Sequence, residues 1–407
     1  MKITHVLLRQ HIGRHFKRHW WVQSKITIKP SVVEEELKKR NIPIYKGENI
    51  LKKETKPEKI EIIGLKPEPV KRDRTHPNWN DRICYTLRDD NVLLEGLTQA
   101  KVITNTVEVQ EGLPQSLDLN QSIKGINRRV KEIILSSHLF DAEQKKLPKI
   151  KDPLRPAFNF PRTHGITQER RYTLLISKLL QLIEVLVEPE VVRNKAIFND
   201  LYFTYPFEKY NDLILFELSG DTLLTSSHPL KRIHGDNTSY INLPDIQPMK
   251  ETITLNKEHI YRLQNCYPID LTIPKCHPQT LFVHYNPNEV KNAYEEEVTE
   301  NQIYGRSLLK SFTVAASYAK QLYGESTKDL PKPVTLQCVH TDGRLFHFGI
   351  LQLNTLDLTN VTGMKNIWYQ TERLPLFENC SYVQGRPILE GYNNEVIRHL
   401  LAFYNNI

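Results

Sequence analysis

Cysteine is scarce in this chain, with five in 407 residues. Cys84, Cys266, Cys276, Cys338 and Cys380 are odd in number, widely separated and include no C-x-x-C pair. That pattern argues against a disulfide framework and fits a reducing compartment. A long apolar run is also missing. The longest candidate, YTLLISKLLQLIEVLVEPEV, is interrupted by Lys178, Gln181 and Glu184, so no membrane span is expected. There is no phosphate loop of the form G-x-x-x-x-G-K-[ST], no G-x-S-x-G elbow, no H-E-x-x-H helix and no RNA-recognition signature. No repeat of fixed period occurs. With these motifs absent, no cofactor, no metal site and no catalytic residue is assigned.

Acidic residues are missing from the start of the chain, where the first is Glu34. The opening MKITHVLLRQHIGRHFKRHWWVQSKITIKPSVV mixes basic and apolar residues at partly helical spacing, the composition of a mitochondrial targeting segment, expected over residues 1–30. Arg9 and Arg14 break the apolar core that a secretory signal would need. The alternative is a basic arm retained on the mature protein. His11, His15 and His19 recur every fourth residue, but Arg14, Lys17 and Arg18 surround them with positive charge and no carboxylate or thiol completes a zinc site.

Charge is distributed unevenly. Residues 1–82 hold 20 Lys and Arg against 10 Asp and Glu, leaving 35 against 37 for the remainder. Between residues 31 and 83 the chain has five prolines, at Pro43, Pro57, Pro67, Pro69 and Pro77, and few core-forming groups. The expectation is an extended basic arm that orders against a partner. Its candidate phosphate contacts are Lys38, Lys39, Arg40, Lys52, Lys53, Lys71, Arg72 and Arg74, with Glu34, Glu35, Glu36, Glu54 and Asp73 as competing ion-pair partners.

Apolar content rises from Cys84, so a packed domain over 84–407, as one body or two lobes, is expected. Three helices are legible. TQERRYTLLISKLLQLIEVLVE places Leu175, Leu179, Leu182, Ile183 and Leu186 on one stripe behind a Thr167 cap; GRSLLKSFTVAASYAKQLYG aligns Leu308, Phe312, Ala315, Ala316, Ala319 and Leu322 and ends at Gly324; NNEVIRHLLAFYNNI closes the chain. Strand-like runs lie between them: NDLILFELSGDTLLTSS, folding back near Gly220, then KETITLN and QTLFVHYN. Blocks of helices and antiparallel strands and hairpins predict an α+β domain.

The hairpin PVTLQCVHTDGRLFHFGILQLNTLDL has a tight turn at Asp342-Gly343. A two-residue loop would oppose Cys338 and His347, the minimum for a thiol activated by an imidazole. Burial on both faces favours core packing instead, since Leu336, Cys338, Leu345 and Leu351 alternate with Val339, Phe346, Phe348 and Ile350. Cys266, Cys276, His277 and His284 are spaced irregularly among Pro268, Pro274 and Pro278 and read as structural.

LLEGLTQAKVITNT, EGLP, YAKQLYG and the T-D-G-R hairpin, in that order and spacing, resemble the family of mitochondrial large-subunit ribosomal protein thirty-seven, which is related to programmed cell death protein nine. LILFELSGDTLL and YPI are shorter echoes, so the resemblance covers residues 84 to 404. It implies a non-enzymatic ribosomal component located in the mitochondrial matrix, in contact with large-subunit ribosomal RNA, and paired with a paralogous sister protein. It carries over no catalytic residue. A free mitochondrial RNA-binding or apoptosis-linked factor and a Cys-His enzyme are the competing classes.

Overall fold

The computed structural model describes residues 16–23, 32–45, 71–109, 112–119, 125–149, 154–155, 163–233, 246, 249–294, 296–359 and 363–406. Two compact units are present, Met1–Val70 and Lys71–Ile407. The first contains helix α1 at residues 16–23 and helix α2 at Val32–Lys39. α2 places Glu34 and Glu35 in its first turn and Lys38 and Lys39 in its last, charges that complement the helix dipole and lie four residues apart. Residues 32–39 of the arm are therefore helical and not extended. Residues 71–82, placed in the arm by composition, fall within the second unit. There Trp79 stacks on His259 with ring centroids 4.8 Å apart.

Ten strands of the second unit form one sheet: β1 (Trp79–Leu87), β2 (Thr106–Val109), β5 (Lys195–Lys209), β6 (Asp212–Ser226), β7 (Asn256–Ile260), β8 (His277–His284), β9 (Asp329–Thr341), β10 (Leu345–Thr355), β11 (Asn366–Gln370) and β12 (Leu374–Pro375). The order is β2-β11-β10-β9-β8-β6-β1-β7, with β5 along β6 and β12 along β10. Two short hairpins stand apart, β3 (Lys145–Lys146) with β4 (His164–Gly165), and β13 (Asn379–Val383) with β14 (Arg386–Glu390).

The α+β class holds, but the sheet is mixed. β1 runs parallel to β6, β8 to β9, and β2 to β11. A parallel neighbour needs a crossover, and the long helix α7 (Glu300–Tyr323) supplies it between β8 and β9. Helices cover both faces. On one, α3 (Gly96–Thr104) and α7 pack against Leu336, Cys338, Leu351 and Trp368. On the other, α4 (Ile126–His138), α5 (Gln168–Leu186) and α8 (Glu395–Asn405) cover Val339, Phe346, Phe348 and Ile350. A five-residue helix α6 (Pro189–Arg193) leads into β5.

Leu175, Leu179, Leu182 and Ile183 of α5 are buried, and Thr167 accepts from the Arg170 amide at 3.3 Å. α7 begins five residues before the predicted start, because Thr299 and Gln302 form a reciprocal capping box. α3 and α7 cross at Gly96 and Gly305, where a Cβ on Gly305 would come within 2.5 Å of the Gly96 backbone. Only glycine permits that approach.

Two strand expectations fail. β6 runs straight through Gly220, whose missing side chain leaves room for Leu281 and Phe203. The turn comes earlier, between β5 and β6, where Tyr210 and Asn211 both have positive φ. KETITLN is mostly a turn, and the strand starts only at Asn256.

Candidate functional site

The proposed phosphate contacts separate into three groups. Lys38 and Lys39 end α2, and they and Arg40 are exposed. Lys71, Arg72 and Arg74 are exposed at the start of the second unit. Lys52 and Lys53 lie outside the described residues. The competing carboxylate at Asp73 is committed elsewhere. It accepts from the Thr75 hydroxyl at 2.5 Å and the Thr75 amide at 2.9 Å, and the Thr75 hydroxyl holds it below the usual carboxylate range. The three neighbouring cations thus have no ion pair among the described residues, which leaves their charge available to an external anion.

The Cys-His reading of the hairpin needs a correction. The turn has positive φ at Gly343, 94°, but Thr341 pairs with Phe346, so the loop is four residues and not two. The Asp342 carboxylate widens it by accepting from the amides of Arg344 at 2.8 Å and Leu345 at 2.7 Å. The register moves accordingly. Cys338 faces Gly349, and the residue opposite His347 is His340. Burial pushes the Cys338 thiol up to about 12 and the His347 imidazole down to about 3. A buried neutral thiol and a non-basic ring are the reverse of an activated pair.

His340 and His347 instead clamp α7. The Ser307 hydroxyl lies 3.0 Å from Nδ1 of His340 and 2.9 Å from Nδ1 of His347, and donates to the Ile303 carbonyl at 3.0 Å. With its single proton committed to that carbonyl, Oγ accepts from both rings, which fixes both as Nδ1–H tautomers. In that arrangement each ring donates to Oγ and neither takes its proton, the reverse of a serine–histidine nucleophile pair. Burial also drives His340 well below its ordinary value.

A second polar cluster closes a gap in the sheet. One edge of β6 pairs with β1 at residues 213–216 and with β8 at residues 222–226, so the stretch between them lacks a strand on that side. Side chains substitute for it. Asp89 accepts from the Ser219 amide at 2.7 Å, Lys310 donates to the Ser219 carbonyl at 2.7 Å, and Asp221 accepts from the His284 amide at 2.7 Å. Lys310 also meets Asp89 at 2.5 Å, and Arg306 donates to the Asp89 carbonyl at 2.6 Å. Burial lowers the pKa of both cations. Burial raises that of Asp89, but Lys310 and Arg306 outweigh it and hold the carboxylate ionised. The cavity above this cluster measures about 220 Å³. Its groups are mostly engaged in completing β6, a structural task.

The residues considered for metal binding do not converge. Cys266 exchanges backbone hydrogen bonds with Thr204, Cys276 is buried, His277 meets the Tyr318 hydroxyl at 2.5 Å, and His284 stacks on Tyr172 at 4.4 Å. Among the described residues no group of three or more His, Cys, Asp or Glu could hold a metal ion. Of the basic-arm histidines only His19 is described, and it is exposed on α1. No described helix is long and apolar enough to cross a membrane.

Sequence reasoning missed a second basic segment. Residues 124–171 hold 12 Lys and Arg against 5 Asp and Glu. Subtracting these from the 35 and 37 of residues 83–407 leaves 23 against 32, so the near-neutral body is a basic segment in an acidic setting. A sliding charge window would have found it; a single cut at residue 82 averaged it away.

Comparison with known proteins finds similarity to ribosomal proteins. Residues 282–407, from β8 to the C-terminus, match the family described as mitochondrial 28S ribosomal protein S30 (PDCD9). Large ribosomal subunit protein mL37 of Rattus norvegicus is 28% identical over 73% of this chain and 67% of its own length. The Bos taurus protein of the same name is 27% identical over 81% of the chain and 76% of its length, and that of Mus musculus 28% over 80% and 76%. The chain is therefore similar to the large ribosomal subunit protein mL37 over most of its length, and its residues 282–407 are similar to the PDCD9 family.

Proposed function

We propose that the chain is a structural, non-catalytic component of the mitochondrial large ribosomal subunit, supporting mitochondrial translation by packing on ribosomal RNA and neighbouring proteins. The similarity to mL37 across most of the chain carries this reading. The family matched at residues 282–407 names a 28S protein. The large subunit is preferred because the mL37 relatives extend over both the C-terminal segment and most of what precedes it. The buried chemistry is consistent with a scaffold: the residues that resemble a nucleophile and base are hydrogen-bonded into the core. The resemblance to programmed cell death protein nine extends the proposal to pairing with a paralogous sister protein.

The arm and the start of the second unit are proposed to follow RNA. Lys38, Lys39, Arg40, Lys71, Arg72 and Arg74, with Lys52 and Lys53 from the same basic stretch, would neutralise phosphates without reading sequence. Sedimentation of mitochondrial lysate tests the proposal. The chain should travel with the large subunit and stay there after a moderate salt wash, because protein contacts add to screened phosphate contacts. Recovery mainly in light fractions, with assembled large subunits present, would favour a free RNA-binding or apoptosis-linked factor.

A further inference from the structure

The folded unit carries exposed cations in a stretch of sequence other than the arm. Within the basic segment 124–171, three of the four described carboxylates are already taken by cations of the same segment, while Glu169, exposed at the start of α5, makes no ion pair among the described residues and acts on Lys145. Glu132 pairs with Arg128 at 3.1 Å, Asp141 with Arg170 at 2.8 Å, and Glu143 with Lys145 at 2.8 Å and Arg170 at 3.1 Å. Arg129, Lys131, Lys146 and Lys149 are exposed and have no ion pair among the described residues. Lys131 lies 5.1 Å above the Tyr392 ring, a contact that orients the ammonium without neutralising it.

Two large aromatic rings stand in the same neighbourhood, where water would ordinarily disfavour them. Phe140, two residues beyond α4, is 56% exposed, and Tyr382 of β13 is 57% exposed. They meet edge to face, with centroids 6.0 Å apart. α4 packs on the β13–β14 hairpin, and Tyr392 just past that hairpin donates to Asn127 at 3.1 Å. The helix, the aromatic pair and the hairpin are thus one surface. Cations without carboxylates attract phosphate, and exposed rings beside them offer stacking faces for bases that are not paired in a duplex. A purely electrostatic surface has no use for Phe140 and Tyr382, and an apolar protein interface would not require the unpaired cations of α4 and of the segment after it.

We propose that α4, the segment after it and the β13–β14 hairpin form a docking surface for single-stranded or looped RNA, with Arg129, Lys131, Lys146 and Lys149 on phosphates and Phe140 and Tyr382 stacking on bases. On the particle this rests on residence in the ribosomal subunit, so the test has one arm that needs the particle and one that does not. In the first, full-length protein is titrated against oligouridylate over a salt series. Replacing all four cations with glutamine should reduce the slope of log affinity against log salt by about 0.7 for each cation on a phosphate, close to about 3 in all. Phe140→Ala with Tyr382→Ser should instead lower affinity about tenfold and leave the slope unchanged. All six side chains are exposed or half-exposed, so the melting temperature should stay constant. In the second, a photo-crosslinking phenylalanine analogue at position 140 is incorporated into assembled large subunits and should capture ribosomal RNA. Unchanged slope and affinity in both variants, or crosslinks to a neighbouring protein alone, would overturn the inference. RNA binding that behaves as described in a protein absent from the particle would support the surface and reject the ribosomal reading.

Discussion

The two faces of the central sheet are built from different materials. Beneath α4, α5 and α8 the sheet presents Phe346, Phe348, Ile350 and Ile367, an apolar layer with Phe403 edge-on to Phe348 at 5.4 Å. Beneath α3 and α7 apolar packing alternates with a polar layer: Ser307 between two histidines, and Lys310 and Arg306 on Asp89. The first face is adhesive without direction. The second fixes α7 at one depth and rotation, because hydrogen bonds to Ser307 and Ser219 are lost if the helix slides by a turn. Residues that attract attention as chemistry therefore serve orientation.

Substitutions sharpen this contrast. Phe348→Ala should have the largest effect, a loss of about 3–5 kcal/mol in chemical denaturation, since it opens a cavity in the apolar face. Asp89→Ala should cost about 3 kcal/mol, because Lys310 and Arg306 are left buried without their carboxylate. A much smaller loss at Asp89 would mean that water solvates the notch and that the cluster does not hold α7.

Acid should act on the polar face first. His340 and His347 have folded pKa values depressed by burial, His347 to about 3. The stability they contribute is present above the unfolded value near 6.5 and declines as pH falls from there toward the folded values. Between pH 7 and 5 His347 contributes a loss of about 2 kcal/mol, and His340 a loss in the same direction. His347→Gln should be less stable at neutral pH yet lose less on acidification over that window; an unchanged pH slope would show that the ring is solvated in the native state. The smallest effect is expected from Cys338→Ser, about 1 kcal/mol for a hydroxyl placed beside Ser311 in the core, with incorporation into ribosomes retained. Loss of translation with normal incorporation and stability would return the thiol to the list of reactive groups.

Much of this architecture could be read from pattern. The apolar stripes of α5, α7 and α8 repeat at helical spacing, and the alternation of Leu336 and Cys338 with Val339 and Phe346 assigned the hairpin's faces correctly. Register was not legible, because the number of loop residues depends on where the Asp342 carboxylate bonds. The parallel ladders were hidden for a related reason: strand pairing across α7 is a long-range choice that no local period encodes. α4 was missed through its composition, since INRRVKEIILSSH buries only Ile126, Val130, Ile134 and Ser137 and exposes charge elsewhere. The charge of that helix is what separates it from the arm. In the arm, cations are diluted by glutamate and proline along the sequence; on α4 they stand exposed, with Lys131 over the Tyr392 ring.

A side-chain-resolution structure of the purified mitochondrial large subunit tests the central claim most directly. The ten-stranded unit from Lys71 to Ile407 should be seated in the particle, with Lys71, Arg72 and Arg74 facing ribosomal RNA phosphates and the Cys338 and His347 side chains enclosed in its core. A fully assembled subunit that lacks this chain, or one in which its basic residues face solvent with no RNA nearby, would contradict it.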